Sequence, residues 1–196
     1  MKVYEVVLVI VVVAIVASTC SGHDAGSSTP IAAAAGAPVP TVASELATFR
    51  SGMTIPSSLA GPFSRDSLVR LFEGALARRD TAGLDRLKLT REEFAYLYYP
   101  ESKMARPPYE LGPDVMWLQV QSQSDRGLRR LLAMYGGRKI GLRGLECQPP
   151  ERQNAVVIHQ CGVSISKGVD SAPKQLFGSI IERGGRFKFV GYANKL

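Results

Sequence analysis

An unbroken apolar run near the N-terminus constrains this chain more than any other feature. Twelve apolar residues, from Val6 to Ala17, follow a charged start that contains Lys2 and Glu5. A membrane-spanning helix needs about 20 apolar residues, whereas the hydrophobic part of a secretory signal needs about 7–15. A surface helix of a folded domain would also carry a polar face, which this run lacks. The run therefore predicts export, with residues 1–20 as a signal peptide or membrane anchor.

The residues after this run resemble the end of a bacterial lipoprotein signal. Ala17, Ser18 and Thr19 form a small-residue box directly before Cys20. In such signals the cysteine receives lipid and becomes the new N-terminus. The resemblance implies that Cys20 is the lipidation site and that the chain is anchored in the bacterial cell envelope or periplasm. Two alternatives remain open: an uncleaved anchor, and ordinary cleavage with Cys20 as an incidental thiol.

The composition changes after Cys20. Ala, Gly, Pro, Ser and Thr occupy 19 of the 24 positions from Ser21 to Ser44. Such a segment buries too little apolar surface to offset the entropy lost on ordering it. The globular pattern begins near Glu45 and is clear by Ser64. We therefore expect a flexible tether over residues 21–60 and one globular domain over residues 61–196.

The first half of this domain has helical periodicity. Ser64 is a suitable N-cap, and apolar residues then recur at helical spacing. Pro113 begins the longest amphipathic segment, which Gly136 and Gly137 end. The predicted helices cover residues 65–79, residues 82–87, a segment that the Thr90–Glu93 capping box opens and Pro100 stops, and residues 113–135.

Beyond Gly137 the pattern becomes that of β-strands. The predicted strands, rich in Val, Ile and Phe, cover residues 139–147, 155–166, 174–183 and 186–195. Gly184 and Gly185 between the last two strands are typical of a tight hairpin turn. Helices followed by an antiparallel sheet indicate an α+β fold.

Two segments resemble the nuclear transport factor 2-like superfamily. One is the helical sequence from Phe72 to Asp80, and the other is the terminal stretch from Gly185 to Tyr192. The resemblance implies N-terminal helices packed on a curved antiparallel sheet to form a cone. The first sheet strand of that cone would lie within residues 100–111. A shared fold does not transfer a function.

The superfamily includes dehydratases and isomerases that place a His–Asp pair, or a carboxylate with a tyrosine, in the cone. The one histidine in residues 61–196 is His159, and no acid lies close to it in the sequence. Glu146 and Glu182 are the carboxylates that could pair with it. Strand alternation groups Glu146 with Ile140 and Leu142, on the opposite face from Cys147. We therefore expect a structural His159 and a noncatalytic domain; a small hydrolase or isomerase that uses His159 or these carboxylates is the alternative.

Aromatic residues in the helices could line a ligand cavity. The candidate cavity residues are Tyr98, Trp117 and His159, and a small apolar ligand would suit them. Core packing of the helices is the alternative, and it is the interpretation that we favour for the aromatic residues.

Cys147 and Cys161 flank a Pro149-Pro150 loop between two predicted strands, which suits a disulfide in an exported domain. Two buried thiols are the alternative.

The formal net charge of +7 is concentrated in one region. Six cations lie between residues 126 and 143 with no acid among them: Arg126, Arg129, Arg130, Arg138, Lys139 and Arg143. Export argues against nucleic acid as their partner and favours anionic lipids or polymers of the envelope. The domain as a whole could bind an envelope protein. Cationic side chains at the end of a helix also complement its dipole without any ligand.

The sequence contains no phosphate loop, zinc-type cysteine spacing or dinucleotide fingerprint, so we expect no metal and no cofactor.

Overall fold

Helices occupy the first part of the folded unit and strands the last part, as expected for an α+β fold. A computed structural model of the chain describes residues 40–165 and 174–194. The helices are α1 (Val42–Phe49), α2 (Arg65–Ala77), α3 (Thr81–Arg86), the single turn α4 (Arg91–Glu93) and α5 (Pro113–Tyr135). The strands are β1 (Leu142–Cys147), β2 (Glu151–Gln153), β3 (Val156–His159), β4 (Cys161–Ile165), β5 (Ile180–Arg183) and β6 (Arg186–Phe189).

The strands form two antiparallel sheets. Strands β2, β3, β5 and β6 make a four-stranded sheet in that order, and β1 pairs separately with β4. Gly184 and Gly185 both have positive φ angles and form the predicted β5–β6 turn.

The four-stranded sheet is covered on both faces. On one face Phe72 of α2 packs edge-on against Phe177 and Phe189, with ring centroids 5.7 Å from each. The other face packs against residues that precede and follow α3. This second cluster comprises Leu59, Leu89, Leu97, Val156, Ile158 and Ile181. Burial on both faces explains why all four residues of β3 are buried, and why its first three are apolar in succession instead of alternating with polar residues.

A helix lies before residue 61, where the globular domain was expected to begin. Helix α1 lies within residues 21–60, where we expected a flexible tether. Its last residue, Phe49, is buried and packs edge-on against Phe94 at 5.9 Å. The Arg50 guanidinium donates two hydrogen bonds, of 3.1 and 2.7 Å, to the carbonyl oxygen of Ala95. Composition missed this helix because its apolar face is buried by residues distant in sequence.

The chain between α4 and α5 contains short helical turns that are not α-helical. A π-type turn at Phe94–Tyr98 is followed by 3₁₀ turns at Tyr99–Glu101 and Lys103–Ala105. All of residues 100–111 are described, and they contain no strand, so the expected first strand of the cone is not found there. The Tyr99 hydroxyl instead donates to the Leu111 carbonyl at 2.7 Å and closes this segment as a loop.

The strand predicted over residues 155–166 is two strands. Strand β3 pairs with β2 and β5, whereas β4 pairs with β1. The change of partner occurs at exposed Gln160, whose side chain donates to the Ser179 hydroxyl at 2.8 Å. The strand predicted over 174–183 is also shorter, because β5 begins at Ile180 and residues Lys174 and Phe177 form only isolated bridges. The expected loop after Cys147 contributes β2 to the sheet.

Candidate functional site

The structure brings His159 together with two charged residues distant from it in sequence. Glu182 is the strand partner of Val157, which lies two residues before His159. The side chains of Glu182 and His159 therefore share one sheet face, the face that packs on α2. Nε2 of His159 lies 3.0 Å from Oε2 of Glu182, and Nδ1 lies 3.3 Å from Nη1 of Arg65. Arg65 is the first residue of α2. These three residues are named the His159 cluster.

The hydrogen bonds of the His159 cluster define its protonation. A guanidinium group only donates hydrogen bonds, so Nδ1 of His159 accepts from Arg65. The ring proton is then on Nε2, which donates it to Glu182. The imidazole is neutral in this arrangement, and both of its nitrogens are engaged. His159 is 6% exposed and the Glu182 side chain is 32% exposed, so the cluster meets solvent through the carboxylate.

This arrangement resembles a catalytic pair in only one respect. A carboxylate that accepts from one imidazole nitrogen can orient the ring for proton transfer at the other nitrogen. In this structure the other nitrogen faces Arg65, so the His159 ring offers no free lone pair to a substrate. The cluster instead ties the start of α2 to the sheet. Arg65 carried no signal in the sequence, because it is 94 residues from His159 and reads as an ordinary helical residue.

Glu146, the other carboxylate considered for pairing with His159, lies elsewhere. It is exposed and accepts a hydrogen bond of 2.7 Å from the Ser164 hydroxyl. The predicted grouping of Glu146 with Leu142 was wrong. The register of β1 shifts between Leu142 and Gly144, and such an irregularity changes which residues share a face.

The predicted disulfide between Cys147 and Cys161 is present. The two residues are direct partners in the β1–β4 pair, and their Cα atoms are 4.0 Å apart. Nη1 of Arg65, which contacts His159, also lies 3.4 Å from Sγ of Cys147. One guanidinium therefore connects the disulfide with the His159 cluster.

Tyr98 and Trp117 do not share a cavity with His159. Both pack on the buried ring of Phe94, at centroid distances of 6.0 and 5.0 Å. Tyr98 also packs on the sheet face opposite His159. Burial raises the pKa of Tyr98, and the charge of Glu151 raises it further, so the phenol stays neutral. Their contacts are those of core packing, the alternative that the sequence left open.

The predicted basic patch is divided among several surfaces. All six residues are exposed. Arg138 and Lys139 line one cavity, whereas Arg143 lines another that includes Asp66. Arg130 of α5 donates to the backbone oxygen of Asn194. Among these six, only Arg138 and Lys139 share a described cavity.

That cavity has a volume of about 500 Å³. Among the residues that the structure describes, its lining consists of Tyr135, Arg138, Lys139, Ile140 and Ile165. It lies where α5 ends and β1 begins, and it does not include His159 or Glu182. This arrangement puts two cations beside apolar side chains, of which only Ile165 is distant from them in the sequence.

Cys20 and the whole segment 1–20 lie outside the described residues, so export and lipidation stay predictions. Within residues 40–165 and 174–194, no helix is both long and apolar enough to cross a membrane. The same residues contain no cluster of His, Cys, Asp and Glu suited to hold a metal ion.

Comparisons of the chain with family models, with curated proteins and with solved structures find no match.

Proposed function

We propose that this protein is an exported, noncatalytic binding domain, held at the bacterial cell envelope by its N-terminus. The observation that carries the noncatalytic assignment is the double engagement of His159. Its Nε2 donates to Glu182 and its Nδ1 accepts from Arg65, so the ring serves neither as a base nor as an acid in this arrangement.

The disulfide supports the exported location. Structural disulfides persist in oxidising compartments and are rare in the cytosol. The Cys147–Cys161 bond joins the two strands of the smaller sheet. It agrees with the export signal that the Val6–Ala17 run predicts.

We also propose that the α+β domain is a nuclear transport factor 2-like cone. The two segments that carry the resemblance pack against each other, which supports this proposal. Phe72 of the helical segment contacts Phe189 and Tyr192 of the terminal segment, at centroid distances of 5.7 and 5.9 Å. Residues 100–111 depart from the pattern because they form turns instead of a strand.

Mass spectrometry of the N-terminal peptide tests the envelope location. We expect the full-length chain, expressed in a bacterial host, to fractionate with membranes and to carry a diacylglyceryl group on Cys20. The Cys20→Ala variant should lose that modification. Cleavage without lipid would support export but remove the anchor. An intact chain recovered in the soluble cytoplasmic fraction would overturn the proposal.

A small hydrolase or isomerase of the same fold is the second candidate. The 3.0 Å contact between Glu182 and His159 favours it, because a carboxylate in that position orients an imidazole base. This function requires Arg65 to leave Nδ1 when substrate binds.

Acylation by diethyl pyrocarbonate, which attacks a neutral imidazole nitrogen, distinguishes the two candidates. The chain has two histidines, so His23→Gln leaves His159 as the only one. We expect its acylation to be slow, because Arg65 occupies the accepting nitrogen. Arg65→Gln should accelerate the reaction, whereas Arg70→Gln in the same helix should not. Rapid acylation of His159 with Arg65 intact would favour the enzyme.

A further inference from the structure

Three apolar side chains that belong to or pack on the main core line the cavity at the end of α5. Its volume of about 500 Å³ is within the range of ligand sites. Ile140 is buried, and Tyr135 and Ile165 pack partly against the main core. An alkyl chain in this cavity would therefore contact side chains that are continuous with the core.

Two exposed cations line this cavity. Arg138 and Lys139 are exposed, and their side chains form no hydrogen bond or ion pair with any residue that the structure describes. Guanidinium and ammonium groups that lack a protein partner can donate charge-assisted hydrogen bonds to a carboxylate or phosphate.

The lack of carboxylates among its described lining residues distinguishes this cavity from three others. None of its described lining residues is acidic. Two of the other cavities have acidic and no basic described lining residues, which are Glu146 in one, and Glu45 with Asp114 in the other. The third has Asp66 together with Arg70 and Arg143. A negatively charged ligand would meet repulsion in the first two, attraction opposed by a carboxylate in the third, and attraction alone from the described residues of this cavity.

Hydrogen bonds to α2 hold the segment that carries the cations. The Gly137 N–H donates to the Leu76 carbonyl at 3.1 Å. The Glu73 carboxylate accepts from the backbone N–H groups of Gly141 and Leu142, at 2.7 and 3.2 Å. These bonds fix both ends of the segment on α2, which lowers the entropy lost when a ligand binds.

We propose that this cavity binds an anionic amphiphile with a single alkyl chain. The chain packs on Tyr135, Ile140 and Ile165, and the anionic head accepts hydrogen bonds from Arg138 and Lys139. This inference rests on the proposed binding function, because it names the ligand class of that function.

The test uses the full chain in phosphatidylcholine nanodiscs, with dansyl-labelled undecanoate as the fluorescent probe. After subtraction of empty nanodiscs we expect saturable binding. The double variant Arg138→Gln/Lys139→Gln should raise the dissociation constant by roughly tenfold or more, because two charge-assisted contacts are lost. Both side chains are exposed, so the variant should keep the unfolding temperature of the wild type.

Arg126→Gln/Arg129→Gln is the matched control. It removes the same charge from exposed positions of α5 that do not line the cavity. Its dissociation constant should equal that of the wild type. Equal weakening in both double variants would show general electrostatic attraction and overturn the site.

Competition identifies the head group. We expect dodecanoate or dodecyl phosphate, or both, to displace the probe, and dodecanol to leave it bound. The stronger of the two anions defines the carboxylate or phosphate preference. Displacement by dodecanol at the same concentration would overturn recognition of an anion.

The outcome is separable from the envelope assignment. Absence of saturable binding in a chain that is lipidated at Cys20 would overturn this cavity as a ligand site and leave the envelope location intact. A chain that is retained in the cytoplasm and still binds the probe would overturn the envelope location and leave the cavity as a ligand site.

Discussion

Lys188 shows how strongly one residue can depend on its partners. It alternates with Phe187 and Phe189 along β6, so it faces the second apolar cluster and is only 2% exposed. Its Nζ lies 2.8 Å from Oε2 of Glu93 and donates to the Lys88 carbonyl at 3.0 Å. Glu93 is equally buried. Each charge is tolerated only because the other is present.

Removing one partner of this pair should be severe. Lys188→Met leaves the Glu93 carboxylate buried without its cation, so we expect the free energy of unfolding to fall by about 3–5 kcal/mol. Urea denaturation measures this loss. Lys103→Met is the control, because Lys103 forms a 3.1 Å ion pair with Glu151 on the surface and exposed pairs contribute little. Similar losses in the two variants would contradict the assigned role of the buried pair.

The buried phenol of Tyr192 should make the stability of the folded domain depend on pH. Burial raises the pKa of its phenol above 10.0, the charge of Asp85 raises it further, and the hydroxyl donates to the Leu84 carbonyl at 2.6 Å. Above pH 10 the unfolded chain releases this proton while the folded chain keeps it. The contribution to stability is therefore complete below about pH 10 and is lost as the pH rises further.

Urea denaturation from about pH 8 to about pH 11, which spans the ordinary tyrosine pKa of about 10, measures the contribution of Tyr192 to stability. We expect Tyr192→Phe to reduce the fall in unfolding free energy above pH 10, because one titrating group is removed. Tyr109→Phe is the control, since Tyr109 is exposed. An unchanged slope in Tyr192→Phe would contradict the prediction.

At the scale of elements, local signals predicted local structure well. Helix α5 covers the predicted residues 113–135. The Thr90 hydroxyl accepts from the Glu93 N–H, and the Glu93 carboxylate accepts from the Thr90 N–H, as a capping box requires. These features depend on residues within one turn of each other, so the sequence contains all the information that they need.

Features that depend on distant partners were not predictable in the same way. Apolar residues lie on both sides of Gln160, so periodicity could not show that the chain changes sheets there. The register shift in β1 reversed the expected face of Leu142. For the candidate site, strand spacing was enough to predict the Cys147–Cys161 disulfide, and Glu182 was one of two candidate acids. Only the packed fold revealed Arg65, because the start of α2 reaches His159 across the tertiary structure.

At the scale of the whole molecule, small residues of α5 let the C-terminal segment approach closely. The Ser124 hydroxyl accepts from the backbone N–H of Tyr192 at 3.2 Å. Gly127 is buried, and a Cβ built on it would lie 2.8 Å from the Tyr192 carbonyl oxygen and would also meet the backbone of Ala193. Helix α5 therefore packs closely against residues 192–193, next to the aromatic core around Phe72.

Two glycine-to-alanine changes in helices should therefore have opposite effects. Gly127→Ala forces backbone atoms of α5 and the C-terminal segment apart, so we expect a loss of about 1–3 kcal/mol in the free energy of unfolding. At Gly74 of α2 the nearest atom to an added Cβ is Nη1 of Arg78 at 3.4 Å, the end of a flexible side chain. Gly74→Ala should raise the free energy of unfolding by roughly 0.5–1 kcal/mol, because alanine loses less conformational entropy in a helix. Urea denaturation of both variants decides the matter, and stabilisation by Gly127→Ala would show that α5 does not pack on the C-terminal segment this closely.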